Sequence, residues 1–179
     1  DGIGDHNDRF RGRAGAFDAA LGGIRNCIDA GQRVGLRFTI NRYNYEDLDA
    51  IFDLVERENI PRVCFYHLVY AGRGSKMMKE DVTRQEARAA LDLIARRTLD
   101  FHRRGLKKEI LTVDNHADGV YLYLKLKETD PERAVKALEL LRLNGGNRTG
   151  IAIGAVDWYG NVHPDQFTQN HTFGNVRER

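Results

Sequence analysis

The sequence predicts an α/β fold: part of a (β/α) barrel followed by a small β-hairpin extension. Helix and strand patterns alternate up to about residue 113, and strands joined by a helix in this way pair in parallel. Residues 63–69 form an almost continuous apolar run, which is typical of a strand covered on both faces. The last stretch of the 179 residues has the turn-rich pattern of an antiparallel hairpin.

A helix, a strand and a second helix come first. Apolar residues recur at helical spacing from Gly15, and Gly31 suits the left-handed position that ends a helix. Residues 34–40 are rich in β-branched and aromatic side chains, which predicts a strand. Residues 46–59 place their apolar side chains on one face, so we expect a helix that ends before Pro61.

The strand at 63–69 is followed by a loop and a long helix. Residues 72–75 contain two glycines and a serine, which predicts the loop. Thr83 and Glu86 have the spacing of a capping box, so a helix should begin there and run to about Arg103. Residues 110–113 then predict a third strand.

The character of the sequence changes after the third strand. Residues 114–119 are polar and predict a turn, while residues 120–127 fit a strand and a helix equally well. Pro131 suits the first position of a helix that ends near Gly145. Residues 151–164 predict the hairpin: two short apolar runs flank small residues, and a Tyr-Gly-Asn turn precedes the final strand.

Composition narrows the class of protein. Lys and Arg number 28 against 26 Asp and Glu, so the net charge gives no reason to expect binding to nucleic acid or to a membrane surface. The chain has no recognisable signal peptide and no long apolar span, which favours the cytoplasm. It opens on Asp1 without a methionine and stops in a charged stretch, so we expect an interior piece of a longer chain.

Three groups of residues carry a resemblance to a known family. They are Asp1-Gly2, Asp8, Arg11-Gly12, Gly15, Phe17 and Ile24, then residues 39–42 with Asn44 and Leu48, then residues 71–74. In radical S-adenosylmethionine (SAM) enzymes, similar segments follow the fourth barrel strand, surround the fifth and follow the sixth, although the usual histidine is displaced here to His6. Residues 150–157, 160–164 and 174–176 resemble the C-terminal SPASM or twitch extension.

This resemblance implies the later half of a partial (β/α)6 radical SAM barrel in residues 1–113. A small hairpin and helical SPASM-like extension would begin in residues 114–179. Residues 112–120, 157–167 and 173–179 are similar to those of family members that make heme d1. Such enzymes cleave SAM at a 4Fe-4S cluster and use the 5'-deoxyadenosyl radical to replace propionate groups of a didecarboxysiroheme-like tetrapyrrole with oxo groups. An electron donor such as flavodoxin or ferredoxin is implied as a partner.

Other functions stay open at this point. A related radical SAM and SPASM enzyme, either a heme-forming decarboxylase or a peptide-modifying maturase, would carry the same barrel motifs. A non-catalytic half-barrel that only binds a ligand or partner is the alternative outside enzymology, because the chain has only two cysteines.

Four residues are candidates for contacting SAM by virtue of the resemblance. Arg11 occupies a position that can clamp the SAM carboxylate with the fork of a guanidinium. Asn41 ends a predicted strand on the face where barrel active sites form, and its amide suits the ribose or amino-acid part of SAM. His67 and Leu68 end the next strand, where family members hold the adenine. A surface arginine, a turn asparagine and a core histidine are the ordinary alternatives.

Three histidines in predicted loops are candidates for binding substrate: His116, His163 and His171. A neutral imidazole can ligate iron or donate a hydrogen bond to a propionate. Asp114 and Asp118 bracket the first of them and could order a metal or a substrate with it. Each histidine alone is also compatible with an ordinary exposed loop residue.

The cysteines limit the metal chemistry. A radical SAM cluster needs three thiolates in a Cys-x-x-x-Cys-x-x-Cys motif, and Cys27 and Cys64 do not supply it, so its ligands are expected outside these 179 residues. Both lie in apolar segments and are predicted to be buried thiols. Asn147 and Asp165 stand where the SPASM pattern has cysteines. Asp165 is a candidate metal ligand, with an ordinary turn aspartate as the alternative, and an auxiliary 4Fe-4S cluster would need cysteines from elsewhere.

Overall fold

A computed structural model describes residues 1–113 and 115–178. The chain divides into two compact units, one of residues 1–69 and 77–115 and the other of residues 70–76 and 116–179. No helix in the described ranges is long and apolar enough to cross a membrane. The mixed α/β class that the sequence predicts is confirmed.

The first unit alternates helices with three strands. Its helices and strands are α1 (Asp5–Arg11), α2 (Ala16–Asp29), β1 (Gly35–Thr39), α3 (Leu48–Arg57), β2 (Arg62–Tyr66), α4 (Arg84–Arg103) and β3 (Glu109–Val113). A 3-10 turn, Tyr45–Asp47, leads into α3. The helices and strands predicted for this part are present, except that β2 ends at Tyr66 and not at Val69. Helix α1 was not predicted, because seven residues are too few to show a helical period.

The three strands form one parallel sheet in the order β1, β2, β3. Thr39 at the end of β1 lies opposite Tyr66 at the end of β2, and Tyr66 lies opposite Val113 at the end of β3. The predicted parallel pairing is therefore confirmed, and the carboxyl ends of all three strands lie at one edge.

Helices cover one face of this sheet. Phe52 of α3 is fully buried and stacks on Phe65 of β2, with ring centroids 5.3 Å apart. Phe101 of α4 reaches the same cluster, 5.7 Å from the Phe52 ring. The capping box predicted at the start of α4 is present, since Thr83 and Glu86 each accept a hydrogen bond from the backbone of the other.

The second unit contains a helical hairpin and a small sheet. Its helices are α5 (Ala117–Thr129) and α6 (Pro131–Asn144), and its strands are β4 (Ala155–Val156), β5 (Asn161–His163) and β6 (Gly174–Asn175). β4 and β5 form the predicted antiparallel hairpin, and β6 adds a third antiparallel strand. Residues 151–153 form a turn and not the predicted strand. The Ile153 carbonyl accepts from the N–H of Gly150, and the Ile153 N–H donates to the carbonyl of Arg148.

Two predicted loops are helical. Residues 72–75 belong to a 3-10 segment, Gly72–Glu80, and the turn predicted at 114–119 gives way to α5 from Ala117. Within α5, Gly119 faces Leu141 of α6, and an added β-carbon at Gly119 would lie only 2.4 Å from a methyl carbon of Leu141. The glycine thus serves close helix packing and not a turn, and the uncertain segment 120–127 is helical. Asp114 lies outside the described residues.

Candidate functional site

The carboxyl edge of the parallel sheet brings three of the four predicted SAM-contacting residues together. The backbone N–H of Ile40, just past β1, donates to the carbonyl of Tyr66 at 2.8 Å. Asn41 follows at once on β1, and His67 and Leu68 follow on β2. In parallel α/β folds this edge is where ligands bind, because loops and strand ends converge there.

Asn41 is almost completely buried, and its side chain shapes the turn after β1. Its Oδ1 accepts from the backbone N–H of Tyr43 at 2.9 Å, and its own N–H donates to Oδ1 of Asn44 at 2.9 Å. Asn44 in turn donates to the carbonyl of Thr39 at 3.0 Å. Asparagines that close such turns fix the path of the backbone. Asn41 therefore positions the edge loop, and its carbonyl oxygen is already engaged.

A residue that the sequence did not single out, Glu80, reaches the same edge. The backbone N–H of Arg42 donates to the Glu80 carbonyl at 2.8 Å, which ties the end of the 3-10 segment to the loop after β1. One carboxylate oxygen of Glu80 is buried and accepts no hydrogen bond from the part of the chain that the structure describes. An unsatisfied buried oxygen of this kind costs free energy, so a donor from a ligand would be favoured there. No sequence motif marks this glutamate.

Arg11, the fourth candidate for contacting SAM, is the last residue of α1. Its Nε is 2.5 Å from a carboxylate oxygen of Asp1, and its side chain is 63% exposed. Asp47, in the turn that precedes α3, accepts from the N–H of Ile3 at 3.0 Å and contacts the His6 ring at 2.9 Å. These contacts attach the segment that carries Arg11 to the loop region after β1. The guanidinium remains accessible to a ligand.

His163 has a different environment from the other two histidine candidates. It is buried in the small sheet, where Nδ1 lies 2.7 Å from the carbonyl of His171 and Nε2 lies 3.3 Å from a carboxylate oxygen of Asp157. The His171 carbonyl and then the Asp157 carboxylate raise the pKa of His163 above its usual 6.5. His116 and His171 have exposed side chains. Both ring nitrogens of His163 are thus engaged within the hairpin, which favours a structural role.

Asp165, the candidate metal ligand, accepts hydrogen bonds from residues 149, 167 and 168. Its Oδ2 accepts from the Thr149 hydroxyl at 2.8 Å, and its Oδ1 accepts from the backbone N–H groups of Phe167 and Thr168 at 2.8 and 2.7 Å. The Thr149 hydroxyl is the main reason that the pKa of Asp165 lies below its usual value. Within the described ranges, no three histidine, cysteine or acidic side chains are grouped as metal ligands would be.

The two cysteines lie on different elements. Cys27 is exposed on α2, so its predicted burial is wrong: α2 packs through Leu21, Ile24 and Ile28, and Cys27 falls beside that stripe. Cys64 of β2 is half-buried on the sheet face opposite the packed phenylalanines. Two such thiols cannot hold a 4Fe-4S cluster that needs three, so that cluster does not fit the residues of this chain.

Known proteins resemble the chain along its whole length, although no protein-family model matches it. Fe-coproporphyrin III synthase of Methanosarcina barkeri is 60% identical over 179 residues, and pre-heme d1 synthase of Dinoroseobacter shibae is 41% identical over 180. The matches cover 100% and 99% of this chain but only 45% of each relative, so the chain spans about half the length of the relatives it matches.

A solved structure shares the fold. SuiB of Streptococcus suis, bound to its precursor peptide SuiA, superposes with a TM-score of 0.66 at 14% identity, covering 99% of this chain and 39% of SuiB. At that identity the likeness concerns the fold alone. The sequence relatives carry the relationship further, and they confirm the resemblance to a protein that makes heme d1: this chain is a homologue of the corresponding segments of Fe-coproporphyrin III synthase and pre-heme d1 synthase.

Proposed function

We propose that this chain is part of a radical SAM enzyme that acts on an iron tetrapyrrole and forms Fe-coproporphyrin III. The observation that carries the proposal is the 60% identity to Fe-coproporphyrin III synthase across every residue of the chain. That identity exceeds the 41% to pre-heme d1 synthase, and both relatives are named for tetrapyrrole products. A heme-forming activity of the kind that the sequence left as an alternative is therefore favoured over heme d1 synthesis.

Heme d1 synthesis is the second candidate. Its support is the 41% identity to pre-heme d1 synthase together with the polar, irregular motifs at residues 112–120 and 157–167. In that case the product would carry oxo groups in place of two propionates of a didecarboxysiroheme-like substrate. The two candidates share a substrate class and differ in product, so product analysis separates them.

For the architecture, we propose that residues 1–113 form the later strands of a radical SAM barrel and that residues 114–179 begin a SPASM-like extension. The parallel order of β1, β2 and β3 and the likeness to SuiB support the first part. The hairpin with its third strand supports the second. Flavodoxin or ferredoxin remains the proposed electron donor, and the cytoplasm the proposed compartment.

SAM is the proposed cofactor at the carboxyl edge of the sheet. Bound to a 4Fe-4S cluster, SAM supplies a 5'-deoxyadenosyl radical. In this chain, Arg11 would hold the SAM carboxylate, and the turn fixed by Asn41 would present its backbone to the ribose. His67 and Leu68 would flank the adenine. The buried unsatisfied oxygen of Glu80 suits a ligand that carries ammonium or hydroxyl donors, as SAM does.

The full-length protein, reconstituted with iron and sulfide under anaerobic conditions, provides the test. It is incubated with SAM, a reductant and a didecarboxysiroheme-like iron tetrapyrrole. The products are separated by chromatography and identified by mass spectrometry. We expect 5'-deoxyadenosine and Fe-coproporphyrin III. A dioxo product would support heme d1 synthesis instead. If SAM is not cleaved at all, the non-catalytic binding module becomes the better explanation.

A further inference from the structure

The parallel sheet has a second face, opposite the helices, that forms an open groove. Side chains alternate along a strand, so the residues next to the buried Phe38, Val63 and Phe65 point the other way. The groove has a volume of about 660 Å³, within the range of small-molecule sites. Its central lining residues are Arg37 of β1, Cys64 and Tyr66 of β2, and Leu111 and Val113 of β3.

Arg37 is the distinctive residue of this groove. Its guanidinium carbon lies 5.2 Å from the centre of the Tyr66 ring, and no carboxylate among the described residues pairs with it. Arg62 on the same face is different, because it forms an ion pair with Glu109 at 2.9 Å. Arg37 is exposed, with an aromatic ring beside its guanidinium, and its donors form no side-chain hydrogen bond to the part of the chain that the structure describes.

The stacking on Tyr66 prepares these donors for a carboxylate. A cation over an aromatic face is held in orientation, and the planar guanidinium matches the two oxygens of a carboxylate. The Tyr66 hydroxyl likewise has no hydrogen-bond partner within the described ranges, so it offers another donor. Leu111 and Val113 are half-buried apolar side chains on the other side of Tyr66 in the sheet register. The groove thus has donors on one side and an apolar surface on the other.

That arrangement complements a flat apolar ligand with acidic arms. We propose that Arg37, stacked on Tyr66, binds a propionate carboxylate of the iron tetrapyrrole while Leu111 and Val113 contact its macrocycle. The Tyr66 hydroxyl donates a second hydrogen bond to the same carboxylate. The inference rests on the proposed function, since it assigns the anchoring contact of that substrate class. SAM also carries a carboxylate, and the experiment separates the two sources.

The test uses the full-length reconstituted protein and absorbance titration with Fe-coproporphyrin III. We expect Arg37→Gln to raise the Kd at least about 10-fold, the usual effect of losing a charge-assisted hydrogen bond. Arg62→Gln is the matched control, because it removes an equal charge from the same face at a residue already paired with Glu109. Its Kd should stay within about twofold of the wild type. Tyr66→Phe keeps the ring and should raise the Kd by a smaller factor.

Two further ligands decide what the groove recognises. The tetramethyl ester of Fe-coproporphyrin III has no carboxylate, so wild type and Arg37→Gln should bind it equally. The Kd for SAM should be the same in both proteins. An unchanged Kd for Fe-coproporphyrin III in Arg37→Gln, or a loss confined to SAM, would overturn this inference and leave the proposed function standing. If the wild type bound no iron tetrapyrrole at all, the proposed function itself would be wrong.

Discussion

His163 and Asp157 meet inside the small antiparallel sheet, with Nε2 of the imidazole 3.3 Å from a carboxylate oxygen. The other ring nitrogen lies 2.7 Å from the carbonyl of His171. A carbonyl and a carboxylate both only accept hydrogen bonds, so both contacts are hydrogen bonds only when each ring nitrogen carries a proton. The hairpin therefore favours the imidazolium form of His163.

This preference predicts a pH-dependent stability. The pKa of His163 is raised above 6.5 in the folded chain, so its contribution is fully present below that value and is lost as the pH rises through the folded pKa. We expect the hairpin to unfold more easily as the pH rises above 6.5, measured by thermal unfolding followed at Trp158. His163→Gln should remove this dependence. His171→Gln should keep it, because the backbone carbonyl and not the His171 ring is the acceptor.

Asp157 predicts a second pH-dependent change in the stability of the hairpin, at acid pH. Burial acts to raise its pKa, but hydrogen bonds from Asn161, His163 and Tyr159 outweigh burial and lower the pKa to about 2. Its contribution is therefore present above the usual value of 3.8 and is lost as the pH falls toward 2. Asp157→Asn should remove this loss of stability at acid pH in the same unfolding measurement. A wild-type hairpin with equal stability at pH 3, 6 and 9 would contradict both assignments.

The sheet could be predicted from the sequence, whereas most side-chain partnerships could not. The strand at residues 34–40 could be predicted because the side chains that are buried on the helix-covered face recur with the local period of a strand. The turn predicted at residues 114–119 was wrong at Gly119, because a glycine is typical both of turns and of closely packed helices. Only the position of Leu141 in the folded chain decides between the two. The turn at 151–153 was missed because apolar residues there are exposed, which no local pattern reveals.

The candidate site was predictable to the same degree. Asn41 and His67 were placed at strand ends by the pattern, and parallel pairing then brings them to one edge. Glu80 could not be found this way, because its position depends on a backbone hydrogen bond to Arg42 across a long separation in sequence. The groove around Arg37 likewise depends on which side chains share one sheet face after pairing.

The capping box at the start of α4 makes a local prediction. The Thr83 hydroxyl accepts from the N–H of Glu86 at 3.2 Å, so Thr83→Ala should lower the free energy of unfolding by about 1 kcal/mol in urea titrations. Thr98→Ala on the same helix is the matched control. Its hydroxyl only donates to the Ile94 carbonyl, which already serves the helix, and alanine is the better helix former. Equal losses in the two variants would exclude the cap as the cause.

The aromatic cluster predicts a larger loss. Phe52 is fully buried between Phe65 and Phe101, so Phe52→Ala should cost about 3–5 kcal/mol through lost burial and the cavity left behind. Phe10→Ala makes the same chemical change at a side chain that is 44% exposed, and should cost less than about 1 kcal/mol. Urea unfolding of both variants provides the comparison. A loss at Phe52 no larger than at Phe10 would mean that this cluster does not form the core.

The proposed role of Arg11 predicts an effect on SAM affinity. Asp1 contacts the guanidinium at 2.5 Å, but the arginine is largely exposed, and such ion pairs are worth only about 0–1 kcal/mol. A SAM carboxylate can therefore displace Asp1 at little cost. We expect Arg11→Gln to raise the Kd for SAM about 10-fold or more in calorimetric titrations of the full-length reconstituted protein.

Two variants separate this role from a general effect of charge. Arg9→Gln removes an equal charge from an exposed position on the same helix and should leave the Kd for SAM unchanged. Asp1→Asn removes the competing carboxylate, so it should tighten SAM binding by up to about fivefold, corresponding to the modest strength of an exposed pair. If Arg9→Gln and Arg11→Gln weaken binding equally, a diffuse electrostatic attraction explains the data and Arg11 makes no direct contact with SAM.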